Sequence, residues 1–486
     1  MKFNLKPLTF CLTLWLTMPL THAQIPSGET HTASDIDPNA PIVALDKLQS
    51  LKHPSQLKVI LPKIEHFTTQ SGTPVAFVQT HNLPMVDIDI RFNAGSARDE
   101  SIKPNDIAHS YGIASLTAAM LDQGTRRHNQ DEFAELSEQL GINLNASAYR
   151  DMFVVSLRTL SDEKHVVPAV LLMQEMLSQP TFPQASLERT KAQYIVGLQK
   201  AQEDPDTIAS NAFSQALYGT HPYAHSPTGT LESIPTINQQ DLQAFAKRYL
   251  VAKNANLAIT GDISLEQAKM LANQLTQVLP LGTPAPLLPN AKPPTQAKTI
   301  HIPFDSTQTT VLIGQLGDKR STDPTVLQHQ TNFAIANDIV GGGNFQARLM
   351  ADIRKKRGLT YGIYSGMTPM LAQGSYTISF STRNEKAPEA IQATLNVLNN
   401  TLKTGVTQNE LNLTKDSMIN SFPLSFASNA GINNTLGMMG FYGLPDSYLS
   451  DYVTRINQAT LHDVNHSFAQ AIDTKKLLTV TVGGSK

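Results

Sequence analysis

The sequence of residues 341–364 is GGGNFQARLMADIRKKRGLTYGIY, and it joins a glycine loop, an apolar period, a basic cluster and an aromatic segment. Phe345, Leu349 and Ile353 recur every four residues, a spacing that places apolar side chains on one face of a helix. The pattern therefore predicts a helix over residues 344–357 that begins directly after the glycines.

The segment after this helix predicts a turn back into a strand. Gly358 follows the predicted helix end, where a left-handed backbone is common, and residues 359–367 include aromatic and β-branched side chains typical of strands. We expect this arrangement to place Arg354, in the last helical turn, beside Tyr361, near the start of the strand. Glycines carry no side chain, so a ligand can approach the backbone of the loop closely. The candidate substrate-binding residues of the loop are Gly341, Gly342, Gly343 and Asn344.

The first residues have the three-part form of a secretory signal. Two lysines precede the apolar residues 8–20, and the small residue Ala23 follows them. The apolar run is too short to span a bilayer, although a retained anchor is the alternative. We expect residues 1–23 to be a signal peptide, residues 24–56 to be a flexible lead-in, and the mature chain to be periplasmic without a membrane span.

The composition excludes several classes of mechanism. Cys11, the only cysteine, lies inside the predicted signal peptide, so the mature chain has no thiol nucleophile, disulfide or Cys-ligated zinc site. The chain carries 38 Lys and Arg residues against 40 Asp and Glu residues. It has no basic stripe with interleaved aromatic residues, so we expect no nucleic-acid partner.

A proline-rich segment divides the chain into two parts of similar length. Residues 281–298 contain five prolines and no helical period. This composition predicts an extended linker between a first domain at residues 57–280 and a second at residues 299–486.

The two parts repeat one order of elements. In the first, a predicted strand over residues 146–160 precedes a helix that Ser161 caps and a second helix that opens at Gln184. In the second, a strand over residues 374–381 precedes another pair of helices, the later of which opens at Gln408. We infer an internal duplication, that is, an α+β fold of two homologous sheet-plus-helices domains. A chance repeat of common elements is the alternative.

Several familiar catalytic signatures are absent or incomplete. The triple glycine belongs neither to Gly-x-Gly-x-x-Gly nor to a Gly-Lys-Ser/Thr motif, and the chain has no Gly-x-Ser-x-Gly. Residues 161–164 and a later Lys-Thr-Gly match two elements of penicillin-recognising enzymes, but the third is missing. The pairs His462 with His466 and His221 with His225 lack a carboxylate arranged to complete a metal site. We interpret them as structural or surface histidines.

Four motifs together resemble one family. They are YGIASLTAAMLDQGT at residues 111–125, the sequence His-Pro-Tyr that ends at Tyr223, Gly261-Asp262 after a strand, and the Arg-x6-Tyr spacing of Arg354 and Tyr361. From about residue 57 onward, the chain resembles the insulinase/pitrilysin family of inverted-motif zinc peptidases. The resemblance implies a duplicated, half-clam metallopeptidase fold in which the arginine and the tyrosine face bound substrate.

The chain departs from this family at the zinc site. Active members carry His-x-x-Glu-His shortly before the Gly-Thr, with two histidines as zinc ligands and the glutamate as general base. These places fall here on Ser115, Ala118 and Ala119, and the third ligand, a glutamate, is missing near residues 194–196. The resemblance therefore implies a degenerate motif and no metal or other cofactor bound by this chain.

The resemblance is closest to family members that are split into two chains, one with the zinc motif and one with the Arg/Tyr pair. It implies a non-catalytic subunit of a heterodimer that has no hydrolytic activity alone. The homologous partner subunit would hold zinc, and this chain would supply Arg354 and Tyr361 in trans to a peptide substrate. Two alternatives stay open: an inert scaffold or peptide-binding protein of the same fold, and an active enzyme with a relocated zinc site.

Overall fold

Two mixed β-sheets of matching topology organise residues 60–484, the part of the chain that the computed structural model describes. These residues belong to one compact unit. The predicted signal peptide at residues 1–23 and the whole predicted lead-in at residues 24–56 lie outside the described residues.

The first sheet has the strand order β1-β2-β6-β3-β5-β4 within the described residues. All neighbouring strands are antiparallel except β2 and β6, which are parallel. The strands are β1 (Glu65–Thr68), β2 (Pro74–Gln79), β3 (Met85–Phe92), β4 (Asn143–Ala148), β5 (Phe153–Leu160) and β6 (Ala255–Gly261).

The second sheet has the order β7-β11-β8-β10-β9, which repeats β2-β6-β3-β5-β4 strand for strand, including one parallel pair, β7 with β11. Its strands are β7 (Lys298–Ile302), β8 (Gln308–Leu316), β9 (Ile363–Thr368), β10 (Ser375–Arg383) and β11 (Leu478–Val482). In β10, buried Tyr376, Ile378 and Phe380 alternate with less buried hydroxyl residues, as expected of a strand with one core face. The common topology confirms the duplicated α+β fold.

Helices surround both sheets. Within residues 60–484 the α-helices are α1 (Ile113–Met120), α2 (Gln130–Gln139), α3 (Glu163–Ser178), α4 (Gln184–Ala201), α5 (Pro205–Tyr218), α6 (Gln239–Tyr249), α7 (Leu265–Thr276), α8 (Pro324–Gly341), α9 (Ala387–Thr404), α10 (Gln408–Ser421), α11 (Asn429–Tyr442), α12 (Ser447–Ser450), α13 (Tyr452–Gln458) and α14 (Leu461–Ala471). A π-helix spans Met350–Lys356. No helix among the described residues is long and apolar enough to cross a membrane.

Each sheet is completed by a helix from the other half of the chain. α5, from the first half, packs on β8 and β11, where Phe213 and Leu217 share a buried cluster with Val480. α11, from the second half, packs on β2, β3 and β6, where Ile432 and Leu436 join a cluster from the first sheet. The duplication predicted two units, and the structure shows that the units also exchange one helix each.

Most of the predicted elements are present, with local corrections. The strand predicted over residues 146–160 is a hairpin of β4 and β5, because residues 149–152 turn the chain back on itself. The N-cap of α3 is Asp162 rather than Ser161. Residues 281–297 contain neither helix nor strand, in agreement with the extended segment that the prolines predicted. The helix predicted from residue 344 begins only at residue 348, and the strand predicted from residue 359 begins at Ile363.

Candidate functional site

Helix α1, which carries the degenerate motif, is held in place at its N-terminus. The buried Asp99 carboxylate accepts hydrogen bonds from the backbone N–H groups of Gly112 and Ala114, both at 2.9 Å. Burial raises the pKa of the Asp99 carboxyl, whereas these two donors act in the opposite direction. Gly112 has φ +97°, and a Cβ there would lie 2.7 Å from the Cδ1 atom of Ile234. The start of α1 therefore requires both the carboxylate and the glycine.

The three positions of the degenerate motif present one hydroxyl and two methyl groups. Ser115 is buried, and its Oγ donates to the carbonyl oxygen of Pro227 at 2.7 Å. Ala118 and Ala119 follow on the same helix. Tyr194 of α4 donates its hydroxyl to the Ser115 carbonyl at 3.1 Å, so α4 does reach α1. The two helices meet, but Ser115, Ala118, Ala119 and Tyr194 do not fit a zinc ion, because none of these side chains is an imidazole, thiolate or carboxylate.

No group of three or more His, Cys, Asp or Glu side chains among residues 60–484 is placed to hold a metal ion. His221 uses both ring nitrogens within the chain: Nε2 donates to the Pro289 carbonyl at 2.9 Å, and Nδ1 accepts from the Tyr223 N–H at 3.1 Å. His225 stacks on Tyr111 with ring centroids 4.0 Å apart. These contacts agree with the interpretation of this pair as structural histidines.

The His225 imidazole predicts an acid-sensitive step in stability. Burial lowers its pKa to about 4 from an ordinary value near 6.5. At acidic pH the folded state therefore binds fewer protons than the unfolded state. The contribution of the neutral His225 imidazole to the free energy of unfolding is complete above about pH 6.5 and is lost as the pH falls toward 4. We expect a loss of roughly 3 kcal/mol in the free energy of unfolding over this range.

The measurement is urea denaturation at several pH values between 7 and 4. The His225→Phe variant keeps an aromatic ring against Tyr111 but cannot be protonated, so its pH dependence should be flatter by about the same amount. His462→Gln, at an exposed histidine, is the control and should follow the wild-type curve. Parallel curves for His225→Phe and the wild type would show that another group causes the step.

The basic part of residues 341–364 is a π-helix, Met350–Lys356. The Arg357 N–H donates to the Asp352 carbonyl at 3.1 Å, five residues earlier, and Leu359 N–H donates to the Ile353 carbonyl at 3.0 Å. Gly358 has φ +63°, the left-handed conformation that its position predicted. π-Helices are rare and are frequently found at functional sites.

Arg354 and Tyr361 lie in different surroundings on this segment. The Arg354 guanidinium is 4.8 Å from the ring centroid of Phe345. Phe345 is 59% exposed, so it is not part of the buried helical face that its spacing predicted. Tyr361 is 89% exposed and lines a cleft of about 580 Å³ with polar residues such as Asp206 and Thr310. Arg354 does not line this cleft, so the two side chains are near in sequence without sharing one pocket.

The glycine loop has a packing explanation at two of its three glycines. A Cβ at Gly341 would lie 2.4 Å from Ser365 Oγ, and one at Gly342 would lie 2.3 Å from Asp338 Oδ1. Gly343 has φ +102°, a left-handed conformation that favours glycine. Asn344 approaches Asp338 through its amide at 3.4 Å. The loop therefore allows α8 to pack closely against β9, whether or not a ligand approaches it.

Replacing Gly341 by alanine is expected to lower the free energy of unfolding by about 1–3 kcal/mol, because the added methyl group overpacks a buried contact. The obstacle is difficult to move, since Ser365 Oγ donates to Asn337 Oδ1 at 2.7 Å. Gly366→Ala is the control on the same strand, where a Cβ would meet no atom within 4 Å. Chemical denaturation of both variants measures the difference, and equal midpoints would contradict the packing explanation.

Sequence reasoning missed a buried carboxylate that joins the two halves. Asp151, in the β4–β5 turn, accepts hydrogen bonds from the Tyr223 hydroxyl and from two groups of the second half. These are the Leu371 N–H at 2.8 Å and the Tyr442 hydroxyl at 3.3 Å. Burial raises the pKa of the Asp151 carboxyl. Its three partners lie in three separate segments, so no local motif marks it.

Comparison with known families matches both halves of the chain. The family described as "Insulinase (Peptidase family M16)" matches residues 74–230, and "Peptidase M16 inactive domain" matches residues 236–418. A "Non-peptidase homolog YmxG" from Helicobacter pylori is 26% identical over 82% of this chain and 88% of its own. An "Uncharacterized zinc protease YmxG" from Bacillus subtilis is 24% identical over 83% of this chain and 94% of its own.

Solved structures show the same fold. The crystal structure of a peptidase M16 inactive domain from Pseudomonas fluorescens is 37% identical, with a TM-score of 0.81, over 87% of this chain and 98% of that chain. A protease from Helicobacter pylori superposes with a TM-score of 0.78 at 18% identity, over 87% of this chain and 100% of that chain. The first of these similarities extends to sequence, and the second is a similarity of fold.

Proposed function

Because the chain belongs to the insulinase (M16) peptidase family and is an inactive homologue within it, we propose that it is a non-catalytic subunit of a periplasmic heterodimeric zinc peptidase. In this proposal a homologous partner subunit holds the zinc. This chain supplies Arg354 and Tyr361 in trans to the bound peptide.

The observation that carries the proposal is the availability of these two polar groups. Neither the Arg354 guanidinium nor the Tyr361 hydroxyl has a hydrogen-bond or ion-pair partner within residues 60–484. Arg357, three residues after Arg354, is by contrast paired with Asp352 at 2.8 Å. Arg354 also lies in the π-helix, a conformation that is frequently associated with function.

The chemistry of these groups suits peptide hydrolysis. Attack of water on a peptide carbonyl develops negative charge on the oxygen, and preorganised donors stabilise that charge in the transition state. Arg354 can present two parallel N–H groups, and Tyr361 can donate its hydroxyl. The zinc ion of the partner subunit would polarise the carbonyl and activate the water.

One observation favours the alternative of an inert scaffold. Arg354 lies over Phe345, whereas Tyr361 lines a separate cleft. A scaffold needs no alignment of the two residues, whereas the in-trans role requires that the partner or the substrate bring both to one carbonyl group.

Co-expression with a homologue from the same source that carries His-x-x-Glu-His tests the proposal. We expect a 1:1 complex by size-exclusion chromatography with light scattering, and cleavage of a peptide library only when both chains are present. A stable complex in which the zinc-motif chain cleaves equally well alone would support the scaffold. A chain that stays monomeric and does not bind the homologue would refute the heterodimer. Cell fractionation tests the periplasmic location separately.

A further inference from the structure

A cavity of about 410 Å³, lined by apolar and polar residues with charged groups at its two ends, lies along one face of α8 in the second half of the chain. The α8 residues that line it are spaced three and four positions apart, from Leu327 to Asp338, so they form one helix face. Residues of β9, α10, α12 and α13 line the opposite side. The volume is within the range of small-molecule sites in proteins.

One end of the cavity contains two arginines that converge on one tyrosine. Arg320 Nη1 donates to the Tyr448 hydroxyl at 3.4 Å. Arg455 Nη2 donates to the Tyr448 carbonyl at 2.5 Å, and its guanidinium lies 5.5 Å from the centroid of the Tyr448 ring. The only other hydrogen bond from the Arg455 guanidinium within the described residues is the one to the Ser447 carbonyl at 3.1 Å.

Neither arginine forms a salt bridge within residues 60–484, although Arg455 is only 8% exposed; the Asp451 carboxylate acts on Arg455 only from beyond salt-bridge distance. The Nε atoms of both Arg320 and Arg455 are also buried without a hydrogen-bond partner. A buried guanidinium without a counter-ion is costly, and a planar carboxylate is its natural complement because it accepts two parallel N–H groups. The arginine end of the cavity therefore has no carboxylate within salt-bridge distance of either guanidinium in the described residues, and it could accept one from a ligand.

The other end contains an acid without a basic partner. Asp338 lines the cavity next to Gly342. Within the described residues its carboxylate has one side-chain partner, the Asn344 amide at 3.4 Å, and no cation. Burial raises the pKa of the Asp338 carboxyl, as expected for an acid that lacks a compensating charge. A ligand amino group at this end would supply that charge.

The separation of the two ends indicates the length of the ligand. The backbones that carry the two arginines are level with Gln328 and Gln330 of α8. The side chain of Gln328 donates to the Arg455 carbonyl at 3.0 Å, and that of Gln330 donates to the carbonyl of Lys319, next to Arg320, at 2.9 Å. Asp338 follows Gln330 by eight residues, or about 12 Å along the helix. An extended peptide advances about 3.3–3.6 Å per residue, so about three residues span this distance.

We propose that this cavity binds a short free peptide of about three residues, with its C-terminal carboxylate at Arg320 and Arg455 and its N-terminal amino group at Asp338. The site lies in this chain alone and requires neither zinc nor a partner subunit. It is therefore independent of the heterodimer, and each proposal can fail without the other.

Isothermal titration calorimetry of the mature chain with trialanine tests the site. We expect saturable binding that weakens at least about tenfold when the peptide is C-amidated, and at least about tenfold when it is N-acetylated, because each change removes one charge-assisted contact. Arg320→Gln should reduce the difference between trialanine and its amide, because only Arg455 then remains to bind the carboxylate. Asp338→Asn should abolish the difference between trialanine and its acetylated form. Arg383→Gln, at an exposed arginine that pairs with Glu385 on the surface, is the control and should bind as the wild type does.

Three results would overturn the assignment. The first is that trialanine does not bind, and the second is that binding is insensitive to amidation. The third is that inorganic phosphate binds as tightly as trialanine while acetylation of the peptide has no effect. This third result would indicate a site for oxyanions only. The comparison of the three peptides uses the wild-type protein, so it decides the question even if a substituted chain is unstable. Thermal melting of each variant shows whether it is folded.

Discussion

Replacing Arg354 by alanine is expected to lower kcat/KM of the reconstituted pair by a factor of about 100 to 1000, while the 1:1 complex still forms. Removal of one preorganised donor to a developing oxyanion typically raises the barrier by roughly 3–4 kcal/mol. The side chain makes no hydrogen bond or ion pair within residues 60–484, and its loss removes only a cation–π contact of about 0.5–1 kcal/mol with Phe345. The folded chain should therefore remain intact.

The neighbouring positions provide matched controls. Lys355→Ala removes an exposed positive charge from the adjacent residue and should leave kcat/KM within about twofold, because exposed charges act weakly and are screened by salt. Arg354→Lys keeps the charge but loses the planar fork, so its activity should be intermediate. Equal losses for Arg354→Ala and Lys355→Ala would mean that general electrostatics, rather than a directed donor, explains the effect.

The tyrosine allows a test of whether the two groups act on one atom. Tyr361→Phe removes only the hydroxyl, and Tyr149→Phe is its control at another exposed tyrosine. Donors to the same oxyanion should show non-additive effects in a double-mutant cycle, whereas independent sites should add within about 0.5 kcal/mol. Because Arg354 and Tyr361 have separate surroundings in the unbound chain, strong coupling would indicate that complex formation brings them together.

Local signals explain why many elements were predictable from the sequence. The hairpin of β1 and β2 follows from a Ser-Gly turn between short apolar segments, and α4 begins at the predicted Gln184. The exchange of α5 and α11 was not predictable. Phe213 and Leu217 are spaced for one helix face, but this spacing does not specify which of two similar sheets the face covers. That choice is made by contacts between residues far apart in sequence.

The local structure of the segment that carries Arg354 was predictable only in part. The spacing of Phe345, Leu349 and Ile353 places all three side chains on one face only if the segment is an α-helix, with 3.6 residues per turn, from Phe345 onward. The structure instead has a turn at Phe345 and a π-helix from Met350, so Leu349 and Ile353 are buried while Phe345 is exposed. The degenerate motif at Ser115 was located by counting from Gly124, and its meeting with α4 through Tyr194 follows the expected arrangement.

Replacing Asp151 by alanine is expected to lower the free energy of unfolding by about 3–5 kcal/mol, the largest stability change that we predict. Asp151 is 2% exposed, and its loss leaves the donors of Tyr223, Leu371 and Tyr442 without their acceptor. Each buried donor left without a partner costs about 1–3 kcal/mol, and these costs are only partly additive. Because Leu371 and Tyr442 belong to the second half, the substitution removes a contact between the halves as well as a local one.

Urea denaturation of Asp151→Ala measures this effect, with Asp122→Ala as the control. Within residues 60–484 the exposed Asp122 carboxylate accepts a hydrogen bond only from the adjacent Gln123 side chain, so its loss should change stability by less than about 0.5 kcal/mol. Asp151→Asn keeps one acceptor oxygen and avoids a buried charge, so it should be less destabilising than Asp151→Ala. If Asp151 joins the halves, amide exchange should accelerate in Asp151→Ala at Leu371, which loses its acceptor, and on the turn that carries residue 151. Unchanged exchange at Leu371 in a destabilised variant would confine the role of Asp151 to the first half.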